Sequence, residues 1–344
     1  MKAVMRTSIA VLLLLGACAS DTGQAADPTA QQSYDFGPYD LAPGQEVTQN
    51  CIQITLNNEN PLYINAVELT TGSGFHHSNW FFVPETTFAG DDGTYVCADR
   101  NFSEPAAAIF GGVLFAQSTQ SPHEIQQFPE GVVLKLPPHS KLVAQIHLLN
   151  PGDIPLTLSP RIAITPILES DVTTTLAGVS FENQALALPA HAQSRFTVEC
   201  DIATKHQQIF GRAPDFKFYY GLAHYHTLGT KLTVEAITAT GQATTVYSTE
   251  HHAGDTLGGP IDPQFSMSGF TKLRMSCEFY NPRASVVQWG VGDQEMCVFL
   301  GFSDSTYNWG GGVLTEGPPE NPEMVGNMMT YTNACTIFAN DASR

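Results

Sequence analysis

Short segments of alternating apolar and polar residues recur along the chain: "CIQITL", "YINAVEL", "GVVLKL", "KLVAQIHLL", "KLTVEAIT", "TKLRMSCEFY" and "EMCVFLGF", punctuated by Gly, Pro, Asn and Asp. A period of two sends successive side chains to opposite faces, so each segment reads as a strand with one face for a core. No long helical period interrupts the series. With 344 residues, 42% of them apolar and only 14% charged, the chain has material for two cores. The expected fold is all-β, as two tandem antiparallel β-sandwiches of jelly-roll-like kind.

The N-terminus reads as an export signal. Lys2 and Arg6 precede an apolar stretch from Ile9 to Leu15, too short to anchor stably across a bilayer. Leu15-Gly16-Ala17-Cys18 has the form of a bacterial lipobox, with residues 1–17 removed and Cys18 lipidated. An ordinary cut near Ala19 or Ala26 is the alternative. Removing residues 1–17 takes away two positive charges and no negative ones, so the net charge goes from −18 to −20. Such a body repels nucleic acid, and the expected localisation is exported and lipid-anchored, at the outer membrane. Seven cysteines become six once Cys18 is lipidated, an even set that suits three disulfides in an oxidising compartment.

After a linker at 18–33, the spacing suggests a duplication. Cys51 to His76 is 25 positions and Cys200 to His224 is 24; His76 to His147 is 71 and His224 to Met296 is 72. Domains are therefore expected at 34–174 and 175–338, each with its own ligand set. Pairing within domains joins Cys51 to Cys97. It leaves three connectivities for Cys200, Cys277, Cys297 and Cys335, of which Cys277–Cys297 with Cys200–Cys335 is preferred.

Several of these segments carry metal-ligand chemistry. In "GLAHYHTLG", His224 and His226 share a strand face, about 7 Å apart along the chain. His76 and His77 are adjacent, so both reach one metal only if the strand bulges, which Gly72 and Gly74 make feasible. His147 shares a face with Val143 and Gln145, opposite the apolar face of Leu142, Ala144, Ile146 and Leu148. Met296, Val298 and Leu300 share a face, with Cys297 and Phe299 on the other. Imidazole together with a thioether favours copper; zinc has little use for Met. His251 and His252 fall in an acidic turn, and His123, His139, His191 and His206 in loop-like contexts without partners. The stretch 308–335 reads as a Gly/Pro-rich loop in which Met324, Met328 and Met329 serve packing.

The ordered set His-His, Gln-x-His, His-x-His and Glu-Met-Cys resembles the copper type II, ascorbate-dependent monooxygenases, the family of peptidylglycine α-hydroxylating monooxygenase and dopamine β-monooxygenase. The resemblance runs from about residue 34 to 338. It implies two sandwich domains facing each other across a solvent-filled cleft, with one copper each. His76, His77 and His147 would hold an electron-storing copper; His224, His226 and Met296 would hold the copper where oxygen binds. Gln145 matches a position between the sites, and the Cys51–Cys97 and Cys277–Cys297 pairings match the family's spacing. The implied reductant is ascorbate or another one-electron donor.

The peptide-amidating branch has polar substrate contacts where this chain has Leu222, Val298 and Leu300. These three are expected to line the cleft, so a small uncharged or apolar substrate, hydroxylated at C–H with O₂, is expected rather than peptide amidation. The competing expectation is a non-catalytic lipoprotein that binds or delivers copper. A weaker third is a structural or adhesive sandwich lipoprotein with vestigial ligands.

Overall fold

The computed structural model describes residues 27–290, 292–317, 319 and 322–342. The signal segment, the lipidation site Cys18 and the start of the linker lie outside the described residues. The chain is all-β, and its strands form two sandwiches in succession.

In the first sandwich, one sheet runs Gln32–Asp35, Arg161–Ile167, Leu62–Thr70, Val132–Leu136, Thr174–Thr175, with His123–Gln127 also paired to Leu62–Thr70. The facing sheet runs Gly93–Val96, Glu46–Thr55, Ser140–Leu149, Phe75–Pro84, Gly112–Ala116. The second sandwich has two six-stranded sheets. One contains, side by side, Lys217–His224, Val298–Ser303 and Ala177–Asn183; the other is centred on Phe270–Asn281 and Ala192–Asp201. Among the described residues, every named ladder joins strands within 32–175 or within 177–341. The last strand, Thr336–Asp341, continues three residues beyond the expected domain end.

Alternation sets the packing. Ala177–Asn183 alternates buried and half-buried residues without a break. Leu142, Ala144, Ile146 and Leu148 enter the first core as expected. The opposite face of that strand is covered too: Val143 is buried with Cys51, Cys97 and Phe81. That cover includes the short helix Glu104–Phe110, capped by Ser103 with Pro105 in its first turn and ended at Gly111. A second short helix, Ile202–Phe210, is capped by Asp201. Neither has enough turns to show a helical period. Disulfides join Cys51 to Cys97, Cys200 to Cys335 and Cys277 to Cys297. No helix of the described residues is long and apolar enough to cross a membrane.

Two expectations need correction here. The tail is not a loop: it holds strands Tyr307–Val313, Pro322–Val325 and Met328–Ala334. Its glycines serve close approach, since a side chain at Gly312 would collide with the Glu182 carbonyl. The halves are also not separated by an open solvent gap. Tyr219, Tyr220, Leu222 and Phe302 of the second half pack into the first half's core, with Phe302 5.4 Å from the Phe128 ring. Burying that apolar surface closes the two sandwiches onto one another, leaving a cavity of about 600 Å³ between them.

Candidate metal centre

The strand Ser140–Leu149 carries His147 opposite His77, but the next rung pairs Leu148 with Phe75. His76 is therefore the extra residue of a bulge, which turns two adjacent histidines to one side. On the strand's other edge Ile146 pairs with Asn50 and Leu148 with Val47, so two residues stand opposite His147 there as well. Gly74 feeds the bulge at a φ of +94°, and a Cβ there would press on Leu41, Leu156 and Leu158. The result is a compact trio: the ligand-type nitrogens of His76, His77 and His147 all lie within 4.8 Å of one another.

The second half completes the cluster. His224 ends the strand Lys217–His224, and His226 follows in the turn. Their ring centroids are 5.4 Å apart, His224 is 4.9 Å from His77, and His226 is 5.7 Å from His76. The two ligand sets expected in the two halves thus stand ring against ring across the seam. The five imidazoles form one cluster at the seam of the two halves.

His76 Nδ1 and His77 Nδ1 contact each other at 2.9 Å, and hydrogen bonds to groups outside the cluster orient the other three rings. A carboxylate only accepts, so the 2.8 Å contact with Glu46 puts the His147 proton on Nε2 and leaves the buried Nδ1 without a partner. A backbone carbonyl likewise only accepts. The 2.7 Å contact with Gln294 O puts the His226 proton on Nδ1 and leaves the buried Nε2 without a partner. Thr119 donates to Tyr225 O at 3.1 Å, so its oxygen can only accept from His224 Nδ1, at 3.4 Å. The same first-half segment is also tied to the His76 backbone, since Gln120 N donates to His76 O at 2.6 Å.

Burial holds four of the rings, His76, His77, His224 and His226, neutral. It drives His76 down to about 3, with His147 and His226 adding repulsion. It also carries His77 and His224 well below the ordinary imidazole value. His226 is lowered for the same reason, against the opposing pull of Gln294 O. Neutral imidazole is the ligand form, so these four need no proton release to take a metal. Two orphaned, buried ring nitrogens among five clustered imidazoles fit a nitrogen-ligated transition metal.

Met296 is half-buried and lines the interdomain cavity, as do His77, His147 and His224. Its backbone N–H bonds to the Glu295 carboxylate, which also accepts from His226 N at 2.9 Å and Leu228 N at 2.7 Å. Glu295 thus straps the methionine segment to the His226 turn. Val298 and Leu300 line the cavity; Leu222 does not, because it faces the interdomain core at 2% exposure. Gln145 lines the cavity and donates to Thr48 O at 2.7 Å.

Sequence reasoning missed Glu46, Thr119 and Glu295 as supports. Only Glu295 had a signal, since it belongs to the Glu-Met-Cys motif. Of the remaining histidines, three have side-chain partners, among them His251, whose Nδ1 lies 3.7 Å from the Asp255 carboxylate. His123 bonds Glu68 at 2.8 Å, and His206, on the helix Ile202–Phe210, bonds Arg212 O at 2.9 Å beneath the Trp309 ring. In the tail hairpin Met324 stands opposite Met329, away from the histidines in sequence and 56% exposed.

No protein-family model matches the chain, and no curated protein matches it. Solved structures similar to it include the empty top component of cowpea mosaic virus, at 9% identity over 93% of this chain and 100% of that one, with a TM-score of 0.38. The major capsid protein P2 of bacteriophage PM2 is similar at 6% identity, over 80% of this chain and 97% of that one, with a TM-score of 0.30. A putative secreted protein from Parabacteroides distasonis is similar at 10% identity, over 82% and 91%, with a TM-score of 0.21.

Proposed function

We propose that this chain is a copper-dependent monooxygenase that hydroxylates a C–H bond of a small molecule held between its two halves. The reading rests on one observation: five histidines from the two halves cluster at the seam, and three of them, His77, His147 and His224, line a ligand-sized cavity together with Met296. His76, His77 and His147 form one ligand set; His224, His226 and Met296 form the other. Copper held by these two sets would supply one-electron redox chemistry at each, so that R–H + O₂ + 2e⁻ + 2H⁺ → R–OH + H₂O would draw its two electrons from ascorbate or another one-electron donor.

The chain's own residues do the rest. Glu46 and Gln294 O accept the ring protons of His147 and His226, so that His147 Nδ1 and His226 Nε2 are left free to ligate and would hold the metal. Glu295 fixes the distance between the His226 turn and Met296. Val298 and Leu300 offer the substrate a dry apolar wall. Export as a lipoprotein through Cys18 belongs to the same proposal, and the three disulfides favour an oxidising compartment.

The test supplies copper-loaded protein with ascorbate and ¹⁸O₂ and follows ¹⁸O into a panel of arylalkyl alcohols and amines. Copper-dependent incorporation is expected, with Met296→Ile folded but inactive. Incorporation without copper, full activity in Met296→Ile, or no incorporation into any probe by two-copper protein would reject catalysis. Copper binding or delivery would then stand instead.

A further inference from the structure

Residues 117–121 belong to the first half, yet their bonds bracket one histidine of each ligand set. The segment follows the strand Gly112–Ala116, and Gln117, Ser118, Thr119 and Ser121 are buried. Towards the first half, Gln117 N donates to Ser78 O at 3.1 Å and Gln120 N to His76 O at 2.6 Å, so His77 lies between the two bonds. Towards the second half, Leu257 N donates to Ser118 Oγ at 2.7 Å and Gly254 N to Thr119 O at 2.8 Å. Thr119 Oγ1 donates to Tyr225 O and accepts from His224 Nδ1. Leu257 O in turn accepts from Ala223 N at 3.3 Å. The segment thus reaches the residue on each side of His224, one of them through Leu257.

Two details hold the segment in this shape. Glu124, 2% exposed, accepts from Ser118 N and from Ser118 Oγ, both at 2.8 Å. The single hydroxyl proton of Ser118 is therefore spent on Glu124, and its oxygen meets Leu257 N as an acceptor. Gln120 adopts a φ of +63°, a region that non-glycine residues seldom enter, and this turn brings its N–H onto His76 O.

The docking of Tyr220, Leu222 and Phe302 on the first half's core attracts the two halves without fixing their alignment, because burial of apolar surface has no direction. Hydrogen bonds do have direction and weaken steeply when bent. Parting or sliding the halves would strip partners from buried groups of Ser118 and Thr119. The same bonds set the His224 tautomer, since Nδ1–H turned to Thr119 leaves Nε2 as the ligand nitrogen.

Resting on the copper-site reading, we propose that residues 117–121 are an interdomain clamp and that Thr119 is a positioning residue for both ligand sets. The clamp keeps the halves closed in solution and holds His224 against His77, with ring centroids 4.9 Å apart.

The test follows amide hydrogen exchange in the full metal-free protein at pH 8. Leu257 N–H crosses the seam, whereas Gln117 N–H bonds within the first half, and both residues are 1% exposed. In the parent the two amides are expected to exchange within tenfold of each other. Thr119→Val should speed Leu257 at least tenfold relative to Gln117, and Thr119→Ser, which keeps the hydroxyl, should retain the parent ratio. Fast exchange of Leu257 beside a protected Gln117 in the parent overturns the proposal, and decides even where Thr119→Val does not fold. An unchanged ratio in Thr119→Val, including equal acceleration of both amides, overturns it as well. Electron paramagnetic resonance of cupric-loaded protein separates the clamp from the reading beneath it. Mutual broadening of the two copper signals is expected in the parent and should weaken in Thr119→Val with both ions retained. A parent with the expected exchange ratio but no bound copper fails the monooxygenase reading alone. A parent holding two ions, with exchange ratio and line width unchanged in Thr119→Val, fails this proposal alone.

Discussion

Replacing Glu295 by Ala should loosen the methionine side of the metal centre and lower stability together. The residue is 1% exposed, and its carboxylate accepts the backbone N–H groups of His226, Leu228 and Met296. Each buried donor left without a partner costs roughly 1–3 kcal/mol, so three cost about 6 kcal/mol at mid-range. An opposing effect is visible in the carboxyl itself. Burial raises it from 4.5 to about 7, which means that keeping it ionised at neutral pH costs the fold about 3 kcal/mol. The variant is relieved of that cost, leaving a net loss of about 3 kcal/mol. For a unit of this size that corresponds to a Tm lower by about 6–12 °C. Thermal unfolding of metal-free parent and variant at pH 8 reads the first effect; anaerobic copper titration reads the second, as one ion per chain instead of two. A variant within 2 °C of the parent that binds copper equally would refute the role given to this strap.

Glu46→Ala should act differently, because its side chain is 40% exposed and its loss barely touches packing. Copper affinity of the His76–His77–His147 set is expected to fall roughly 10–100-fold with Tm nearly unchanged, measured by competition with a copper chelator; unchanged affinity would remove Glu46 from the site. Metal-free protein should also be acid-sensitive. Burial holds His76 at about 3 in the fold, so below the unfolded value of 6.5 only the unfolded chain takes that proton. The contribution is present above pH 6.5 and declines towards pH 3, at about 1.4 kcal/mol per pH unit. Glu124, pushed up to about 7 by burial, acts oppositely, its contribution present below 4.5 and lost as pH rises through 7. Urea unfolding from pH 4 to 7 should therefore show a steeper acid loss in Glu124→Ala than in the parent, and identical slopes would contradict these assignments.

What could be read from the sequence was whatever depends on local periodicity. The face of His147 followed from the apolar run on either side of it, and the condition for His76 and His77 to act together, a bulge, is met where pairing jumps from His77 to Phe75. Val298 and Leu300 reach the cavity by the same alternation. Leu222 obeyed the alternation yet missed the cavity, because the first half's core covers that part of the strand. Glu46 and Thr119 were out of reach for another reason. Each meets its partner through chain closure over long separations, 101 residues for Glu46 and His147 and 105 for Thr119 and His224. No spacing rule reports such contacts. The merging of two histidine sets into one cluster has the same origin, since it follows from how Tyr220 and Phe302 dock on Phe128.

Copper bound per chain, titrated anaerobically as the reduced ion into protein beginning after Cys18, tests the paired metal centre most directly. Two tight ions are expected in the parent, and one when His76 and His77 are both replaced by Ala. A single ion in the parent, or none, would contradict it.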